Sequence, residues 1–333
     1  MKLSTPRWWY RRGRRAMPVT RLLLTPLSWV WAFATARRIA RGQPAAAGVP
    51  VICVGNLTMG GAGKTPVARA IAVRLAAQGR AVHLLSRGYG GRLEGPVRVE
   101  PAIHSAADVG DEPLMLAQDF PVWVARDRAA GAQAAAAAGA QVIVMDDGHQ
   151  NPSLAKALSI LVVDAETRDD EWPFGDGAVF PAGPMREPLQ TGLARADAVV
   201  LLRPADLEET AASLARVLAG PARLDARLAP AQAAPQGPVL GFAGVGKPWK
   251  VERGLQTAGC DLADFAPFPD HFAYDEAILR RLADRAEHLG ARLITTEKDW
   301  MRLPAAWRER VICWRIIAQF DDVDALDALL LAL

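Results

Sequence analysis

Short apolar runs recur along the first 220 residues, and stretches with helix-compatible spacing separate most of them. The stretch after Lys64 has apolar residues at helical spacing up to a turn at Gly79, and the alanine-rich stretch Ala129–Ala140 also favours a helix. Strands that alternate with helices predict an α/β fold with a doubly wound parallel sheet and a ligand at the carboxyl ends of its strands. The predicted strands are the run that begins at Val51 and the runs Ala81–Leu85, Val122–Val124, Val142–Met145, Ile160–Val163 and Ala198–Leu202.

The pattern weakens between Pro204 and Pro238, a region rich in Ala, Pro and Arg without a strong strand signal. We interpret it as a boundary. The sequence then predicts three parts: an N-terminal segment of residues 1–42, a larger α/β domain of residues 43–220 and a smaller α/β domain of residues 221–333 that closes a cleft. The smaller domain depends on predicted strands at Val239–Ala243, Leu293–Thr295 and Val311–Trp314 and on a predicted helix at Tyr274–Leu289.

Charge is distributed unevenly between the N-terminus and the body. Ten of the 39 basic residues lie within residues 1–42, which hold no acid, so the other 29 meet 36 acidic residues and leave the body at about −7. A basic head on an acidic body predicts an anionic partner at one end of the molecule. The three cysteines lie far apart without C-x-x-C spacing, so neither a zinc site nor a disulfide framework is indicated.

An uncharged run of 15 residues, Leu22–Ala36, lies between Arg21 and Arg37. It is shorter than the roughly 20 apolar residues of a clean membrane crossing. Its tryptophans and the neighbouring arginines suit the interface of an anionic leaflet, so we predict a membrane-associated helix. Two alternatives stay open: the helix packs on the body as core, or it is a cleaved signal that ends near Ala34-Thr35-Ala36. Export would separate a nucleotide site from cytoplasmic ATP.

A glycine-rich segment follows the first predicted strand and ends in Gly-Lys-Thr. Glycines allow backbone N–H groups to converge on phosphate oxygens, Lys64 reaches the terminal phosphates, and the Thr65 hydroxyl is a candidate Mg²⁺ ligand. The standard pattern has glycine at its first position, where this chain has Thr58, so a chance glycine-rich turn is the alternative. The segment predicts ATP or GTP binding by Thr58, Met59, Gly60, Gly61, Ala62, Gly63, Lys64 and Thr65.

Two acids, Asp146 and Asp147, end a buried-type strand. In a phosphate-loop protein this is the position of a carboxylate that holds Mg²⁺, and the alternative is a turn with solvated acids. Asp111 and Glu112 precede a proline and by themselves suit the first turn of a helix, but Glu112 is a further candidate metal ligand. The pair formed by Asp270 and His271 is also ambiguous, because such pairs often occur in ordinary turns.

The segment Thr296-Glu297-Lys298-Asp299 is superficially similar to the guanine-reading pattern N-K-x-D. Its lysine comes one position too late, so selectivity for GTP is not supported.

Taken together, these motifs resemble the lipid A tetraacyldisaccharide 4'-kinase family of Gram-negative bacteria. The resemblance covers about residues 20 to 304 and depends on many ordered matches. They are Gly55-Asn56-Leu57-Thr58, Gly60-Gly61-Ala62-Gly63-Lys64-Thr65-Pro66, Ser86-Arg87-Gly88-Tyr89-Gly90, Val109-Gly110-Asp111-Glu112-Pro113, Asp146-Asp147-Gly148, Pro181-Ala182-Gly183-Pro184, Arg186-Glu187-Pro188-Leu189, Arg195-Ala196-Asp197-Ala198, Phe242-Ala243-Gly244, Asp270-His271 and Thr296-Glu297-Lys298-Asp299. The family often has Phe-Gln-His after Asp-Asp-Gly, where this chain has His149-Gln150-Asn151.

The resemblance implies transfer of the ATP γ-phosphate to the 4'-hydroxyl of a tetraacyldisaccharide 1-phosphate at the cytoplasmic face of the inner membrane. It also implies that Asp111 and His271 form a catalytic pair across a cleft between two α/β domains. The expected cofactors are ATP and Mg²⁺, and the expected partners are a lipid disaccharide and an anionic membrane surface, not nucleic acid. The main alternative is a membrane-associated regulatory ATPase, although Met59 stands where that class has lysine.

Overall fold

Two sheets organise the chain in the computed structural model, which describes residues 5–168, 170–203 and 208–332. The strands are β1 (Val51–Gly55), β2 (Val82–Ser86), β3 (Val97–Arg98), β4 (Val122–Val124), β5 (Val142–Asp146), β6 (Leu158–Asp164), β7 (Ala198–Leu202), β8 (Ala222–Pro230), β9 (Val239–Ala243), β10 (Leu262–Pro267), β11 (Arg292–Thr296), β12 (Val311–Trp314) and β13 (Ile316–Phe320). The helices are α1 (Pro18–Ala40), α2 (Lys64–Ala77), α3 (Ala106–Val109), α4 (Asp111–Leu116), α5 (Arg128–Ala137), α6 (Leu189–Leu193), α7 (Glu208–Val217), α8 (Pro248–Thr257), α9 (Glu276–His288), α10 (Glu297–Trp300), α11 (Ala305–Arg308) and α12 (Val323–Leu331).

The larger sheet has nine strands in the order β13-β8-β7-β6-β1-β5-β2-β4-β3. The seven strands from β8 to β4 are parallel, and β1 lies between β6 and β5, so the chain winds outward on both sides of it. Both edge strands, β13 and β3, are antiparallel to their neighbours. The sheet is therefore mixed, and the prediction of a parallel sheet was wrong at its edges. Every residue of β1, β2, β5, β6 and β7 is buried, as expected of strands covered on both faces.

The smaller sheet has four parallel strands in the order β10-β9-β11-β12. Its core includes Phe242, Leu279 and Trp307, and the predicted helix at Tyr274–Leu289 is present as α9. The carboxyl ends of β9, β10 and β11 lead into the loops that carry the site residues of this half, as the general rule for parallel sheets predicts.

Strand β8 lies inside the region that the sequence predicted to lack strands. Its residues alternate in burial, with Leu224 and Ala226 inside, and it pairs with β7 on one side and β13 on the other. Because the chain returns to the larger sheet through β13, residues 222–230 and 316–320 belong to that sheet and not to the smaller one. The three-part division at residues 42 and 220 stays a prediction, but sheet membership does not follow its second boundary.

Helix α1 has small and polar residues on its inner side and large apolar residues outside. Ser28 is buried and donates to the carbonyl of Val179 at 2.8 Å, whereas Leu22, Leu23 and Trp29 are 70–74% exposed. The apolar run therefore does not pack as core, contrary to one alternative. Among the described residues, none of the helices combines the length and the hydropathy that a membrane crossing requires.

The turn that contains Trp9 and Tyr10, before α1, packs against the larger sheet's loops and forms hydrogen bonds with them. Trp9 and Tyr10 are buried, and the indole of Trp9 donates to the carbonyl of Pro181 at 3.1 Å. The hydroxyl of Tyr10 donates to the carbonyl of Met59 in the glycine-rich loop at 2.7 Å. Removing the whole N-terminal segment would therefore disturb this loop, so the function of α1 is better tested by point substitutions.

Candidate active site

The glycine-rich loop lies at the carboxyl end of β1 and leads directly into α2, the arrangement that phosphate binding requires. Gly63 takes the left-handed conformation with φ of +76° at the N-cap of α2. A Cβ there would lie 2.4 Å from a methyl group of Leu202, so both backbone and space require glycine. The N–H of Met59 donates to the carbonyl of Pro184 at 2.7 Å, which holds the loop against the segment that precedes α6.

Thr58, the departure from the usual phosphate-loop pattern, is held by two side chains. The amide of Asn56 donates to the Thr58 carbonyl at 2.8 Å, and the guanidinium of Arg186 donates to the same carbonyl through Nε at 3.1 Å. Asn56 also accepts from Lys64 Nζ at 3.3 Å. These contacts fix the start of the loop, so the shape of the loop does not depend on glycine at this position.

Thr65 and Asp146 meet at the start of α2. The Thr65 hydroxyl donates to Asp146 Oδ2 at 2.8 Å, and both side chains are buried. The second oxygen, Oδ1, is buried without a hydrogen-bond partner among the described residues. Burial and the charge of Glu112 raise the pKa of Asp146 to about 7, although Lys64 opposes them. A partnerless buried carboxylate oxygen beside a hydroxyl fits a divalent cation.

Asp147 turns away from this pair. It has φ of +56°, which is uncommon for a residue other than glycine, and its carboxylate lies 2.8 Å from Arg186 Nη1 and 3.6 Å from Lys64 Nζ. Burial raises the pKa of Asp147, but Lys64 and Arg186 outweigh it and hold the pKa well below its usual range. Asp147 is therefore an anion that orients two cations of the phosphate loop.

Glu112 lies opposite, where the two sheets approach each other. Its Oε1 is 3.2 Å from the Nζ of Lys298. Lys298 belongs to α10, which directly follows β11 of the smaller sheet. Burial lowers the pKa of Lys298, but Glu112, Asp111 and Asp270 outweigh it and raise the pKa above its ordinary value. Within the described residues no cluster of three or more His, Cys, Asp or Glu side chains could hold a metal by itself. The predicted ligands therefore include the adjacent pair Thr65 and Asp146, with Glu112 and Asp147 in ion pairs nearby.

Asp111 and His271 form a hydrogen bond across the cleft. Asp111 Oδ2 accepts from His271 Nδ1 at 2.9 Å, although 160 residues separate them in the sequence. Burial raises the pKa of Asp111, but the hydrogen bond and the charges of Lys298, His271 and Arg302 outweigh it and lower the pKa to about 2. Gly110, with φ of +92°, precedes Asp111, and a Cβ there would lie 2.7 Å from the carbonyl of Tyr89.

The geometry of this pair fixes the tautomer of the imidazole. An ionised Asp111 accepts from Nδ1, so Nε2 of a neutral His271 carries the lone pair that can accept a proton. Nε2 lies 3.4 Å from Lys298 Nζ, which can only donate. His271 also has φ of +57°, and its N–H donates to the carbonyl of Gly244 at 3.0 Å. A strained backbone at this position favours a functional role over an ordinary turn.

A buried carboxylate behind His271 organises the loops of the smaller sheet. Asp299 is fully buried and accepts from the Tyr274 hydroxyl at 2.8 Å and from the Gly244 N–H at 2.9 Å. Its partner Arg302 lies 3.1 Å from Asp299 and 3.2 Å from Asp111. Arg302 therefore links Asp299, which supports the loops of the smaller sheet, to Asp111 on the side of the larger sheet.

Four residues of this site were not assigned roles from the sequence: Asn56, Arg186, Lys298 and Arg302. Asn56 and Arg186 lie in the motifs around the phosphate loop, where their positions after β1 and before α6 gave some signal. Lys298 was considered as part of a guanine-reading pattern, which it does not form, and as part of one of the family motifs, but without a role of its own. Arg302 lies beyond every motif, and only the contact with Asp111 reveals it.

The chain is similar to known proteins along almost its whole length. The family model described as tetraacyldisaccharide-1-P 4'-kinase matches residues 20–333. A tetraacyldisaccharide 4'-kinase from Phenylobacterium zucineum is 68% identical over 328 residues, which cover 98% of each chain. A protein of the same name from Caulobacter vibrioides is 64% identical over 330 residues, or 99% of this chain and 98% of that one.

A solved structure of LpxK from Aquifex aeolicus, an "apo" form in complex with ATP, is similar to this chain in three dimensions. The TM-score is 0.72 at 26% sequence identity, and the superposition covers 93% of this chain and 98% of the other. The similarity therefore includes both sheets.

Proposed function

The chain belongs to the tetraacyldisaccharide-1-P 4'-kinase family, and on that premise we propose how its residues carry out phosphoryl transfer. It is an ATP-dependent kinase of lipid A biosynthesis that transfers the γ-phosphate to the 4'-hydroxyl of a tetraacyldisaccharide 1-phosphate. The observation that carries the mechanism is the 2.9 Å hydrogen bond between Asp111 and His271, formed beside a phosphate loop.

The phosphate loop binds the nucleotide. Backbone N–H groups of residues 60–65 and the N-terminus of α2 bind the phosphate chain, and Lys64 neutralises charge on its terminal oxygens. Asn56 and Asp147 hold the Lys64 ammonium at 3.3 and 3.6 Å, which restricts it to the mouth of the loop. Because phosphoryl transfer depends almost entirely on positioning and electrostatics, this restraint serves catalysis directly.

Thr65 and Asp146 would hold Mg²⁺, with Glu112 and Asp147 as the further candidates. The support is the partnerless oxygen of Asp146 and the hydroxyl oxygen beside it. Mg²⁺ commonly takes one or two carboxylates together with waters and substrate phosphates, so a pair of protein ligands is sufficient. When bound, the ion supplies charge neutralisation for the phosphate oxygens.

His271 accepts the proton of the acceptor hydroxyl through Nε2. The 4'-oxygen forms a bond to the γ-phosphorus, the bond from that phosphorus to the oxygen of ADP breaks, and the hydroxyl proton moves to the imidazole. Asp111, ionised because its pKa is low, orients the ring and stabilises the imidazolium that results. Lys298 and Arg302 keep the pair in place from the side of the smaller sheet.

Helix α1 docks on an anionic membrane at the cytoplasmic face of the inner membrane, where the lipid acceptor is embedded. The support is its outward apolar surface, which includes Leu22, Leu23 and Phe33 at 66–74% exposure. Exposed arginines lie at both ends of the helix, among them Arg15 and Arg37. An apolar face flanked by cations suits a helix that lies in the interface. An exposed apolar surface of this extent otherwise favours aggregation.

The test is a transfer assay with ATP labelled at the γ-phosphate and a tetraacyldisaccharide 1-phosphate in mixed micelles. We expect the label in a lipid product, and no lipid-bound label with an acceptor that lacks the 4'-hydroxyl. Release of the label only as free phosphate would contradict the proposal and favour a regulatory ATPase. Transfer to the 4'-deoxy acceptor would contradict the assigned position.

A further inference from the structure

A buried ion pair joins the phosphate-loop helix to the smaller sheet at some distance from the reacting groups. Arg69, on α2, is 4% exposed, and Glu297, the first residue of α10, is 8% exposed. Their side chains form two parallel hydrogen bonds, Nη1 to Oε2 at 2.6 Å and Nη2 to Oε1 at 2.9 Å. They lie 228 residues apart in the sequence, so the pair is a contact between two separate parts of the fold.

A second ion pair, between Arg315 and Asp119, lies against the first. Arg69 also contacts Asp119 Oδ2 at 2.9 Å and donates to the carbonyl of Met115 at 3.1 Å. Arg315 contacts Asp119 and lies 3.6 Å from Glu297 Oε1. The four side chains carry two positive and two negative charges, so the cluster is neutral as a whole. Buried ion pairs contribute little net stability, but bidentate ones impose a specific geometry.

The position of each partner connects the pair to one half of the site. Arg69 lies four residues after Thr65 and therefore on the same face of α2, one turn away from the phosphate loop. Glu297 precedes Lys298, whose ammonium is 3.2 Å from Glu112 and 3.4 Å from His271. A displacement of α10 relative to α2 would therefore move the base and its neighbours relative to the phosphate loop.

We propose that Arg69 and Glu297 are positioning residues that set the distance between the phosphate loop and the Asp111–His271 pair. The inference rests on the proposed function, since it assumes that this pair acts on the acceptor. Catalysis of transfer is sensitive to such spacing, because a misplacement of about 1 Å can cost roughly 10²-fold in rate. Arg69 and Glu297 are buried and pair with each other, so their replacement is expected to lower kcat and to leave the affinity for ATP unchanged.

The test replaces both partners at once, because a single substitution would leave a buried charge without its counterion. In the full chain, we expect Arg69→Met with Glu297→Met to lower kcat for lipid phosphorylation at least 10-fold. The Kd for ATP should stay within twofold of wild type. The matched control is Arg74→Met with Asp327→Met, which removes another arginine–carboxylate pair from the same helix, away from the site. It should keep kcat within twofold.

A kcat within twofold of wild type in the double variant would overturn the proposal. So would a Kd for ATP that weakens as much as kcat falls, because the pair would then support the phosphate loop itself. Arg69→Lys is the second variant, since it keeps the buried cation but loses the two-pronged geometry, and an intermediate kcat is expected. Failure of both variants to fold would also overturn it, by making the pair a requirement for folding. If the wild type makes no labelled lipid, the proposed function fails instead.

Discussion

The two clusters of the active site differ in how the chain builds them. The phosphate cluster, consisting of the loop 58–65 with Asp146 and Asp147, comes from two short segments at the ends of the adjacent parallel strands β1 and β5. The base cluster comes from α4 and from the segments that follow β10 and β11 of the smaller sheet. It consists of Asp111, Glu112, His271, Lys298 and Arg302.

This difference has a physical consequence for how each cluster keeps its shape. The backbone of a strand–loop–helix unit fixes the phosphate cluster, with Gly63 and the hydrogen bonds to Thr58 as local supports. The base cluster depends on side-chain contacts between elements that are more than 150 residues apart. The phosphate cluster should therefore tolerate changes at the contacts between the sheets, whereas the base cluster should not.

The largest expected effect is the loss of Lys64. We expect Lys64→Ala to lower kcat/KM for ATP by about 10³-fold, because the ammonium neutralises charge that develops on the transferred phosphoryl group. Arg74→Ala, on the exposed side of the same helix, is the control and should stay near wild type. A Lys64→Ala enzyme that keeps more than about a tenth of wild-type kcat/KM has lost only about 1.4 kcal/mol, too little for this role.

A smaller loss is expected at the base cluster. Asp111→Ala and His271→Ala should each lower kcat by about 10²-fold or more, the usual range for a general base, and leave KM for ATP almost unchanged. His288→Ala removes an exposed histidine at the end of α9 and serves as the control. A near-wild-type kcat for His271→Ala would show that this histidine has only a structural role. The proposed difference between the base cluster and the phosphate cluster would then not hold.

Next in size is the effect of α1, which acts on delivery of the acceptor and not on the phosphate cluster. We expect Leu22→Ser with Trp29→Ser to weaken flotation with anionic liposomes at least about 10-fold, since each side chain loses roughly 1.5–3 kcal/mol of burial in lipid. The Kd for ATP should not change. Ile103→Ser, at a residue with 71% exposure, is the control. Unchanged flotation of the double variant would mean that another surface docks on the membrane.

The smallest expected effect on catalysis is at another contact between the two halves of the fold, which does not involve the base cluster. Asp164, at the end of β6, lies 2.9 Å from Lys247 and 2.8 Å from Lys250 of the smaller unit. Burial raises the pKa of Asp164, but the two lysines outweigh it and lower the pKa to about 2. A carboxyl whose pKa is lower in the folded state stabilises the fold above its unfolded pKa of about 3.9, and this contribution is lost as the pH falls toward 2.

We therefore expect Asp164→Asn to lower the free energy of unfolding at pH 7 by about 2–3 kcal/mol, as measured by urea denaturation. The difference from wild type should narrow steadily between about pH 5 and pH 2. Glu94→Gln, at an exposed ion pair, is the control and should change stability by less than about 1 kcal/mol. A difference that does not depend on pH would show that the two lysines do not account for the effect.

The sequence predicted the central strands and the place of the glycine-rich loop between β1 and α2, because both depend on local patterns. Val142–Asp146 is apolar throughout and ends in the acid that meets Thr65, so pattern and motif are in the same segment. Strand β8 was missed although Leu224, Ala226 and Leu228 alternate with charged residues, because it has no β-branched or aromatic residue and lies in a region rich in Ala, Pro and Arg. Its pairing with β7 and β13 reveals it as a strand.

The base cluster was predictable only through family resemblance. Nothing in the local pattern of Asp111 or His271 separates a catalytic pair from a helix N-terminus and an ordinary turn. Arg302 lies outside every motif, and Glu297 lies in a family motif without an assigned role, because their roles depend on contacts with Asp111 and Arg69 across the fold. Such contacts follow from how the two sheets are packed, which hydrophobic and polar periodicity does not specify.

The central claim is that Asp111 and His271 act as one unit assembled across the cleft. A double-mutant cycle tests it most directly, with kcat for lipid phosphorylation measured at saturating ATP for both single alanine variants and for the double variant. The account predicts that the double variant is scarcely slower than the slower single variant, because each substitution already disables the pair. Losses that multiply, so that two 10²-fold effects give about 10⁴-fold, would show independent roles and contradict the account.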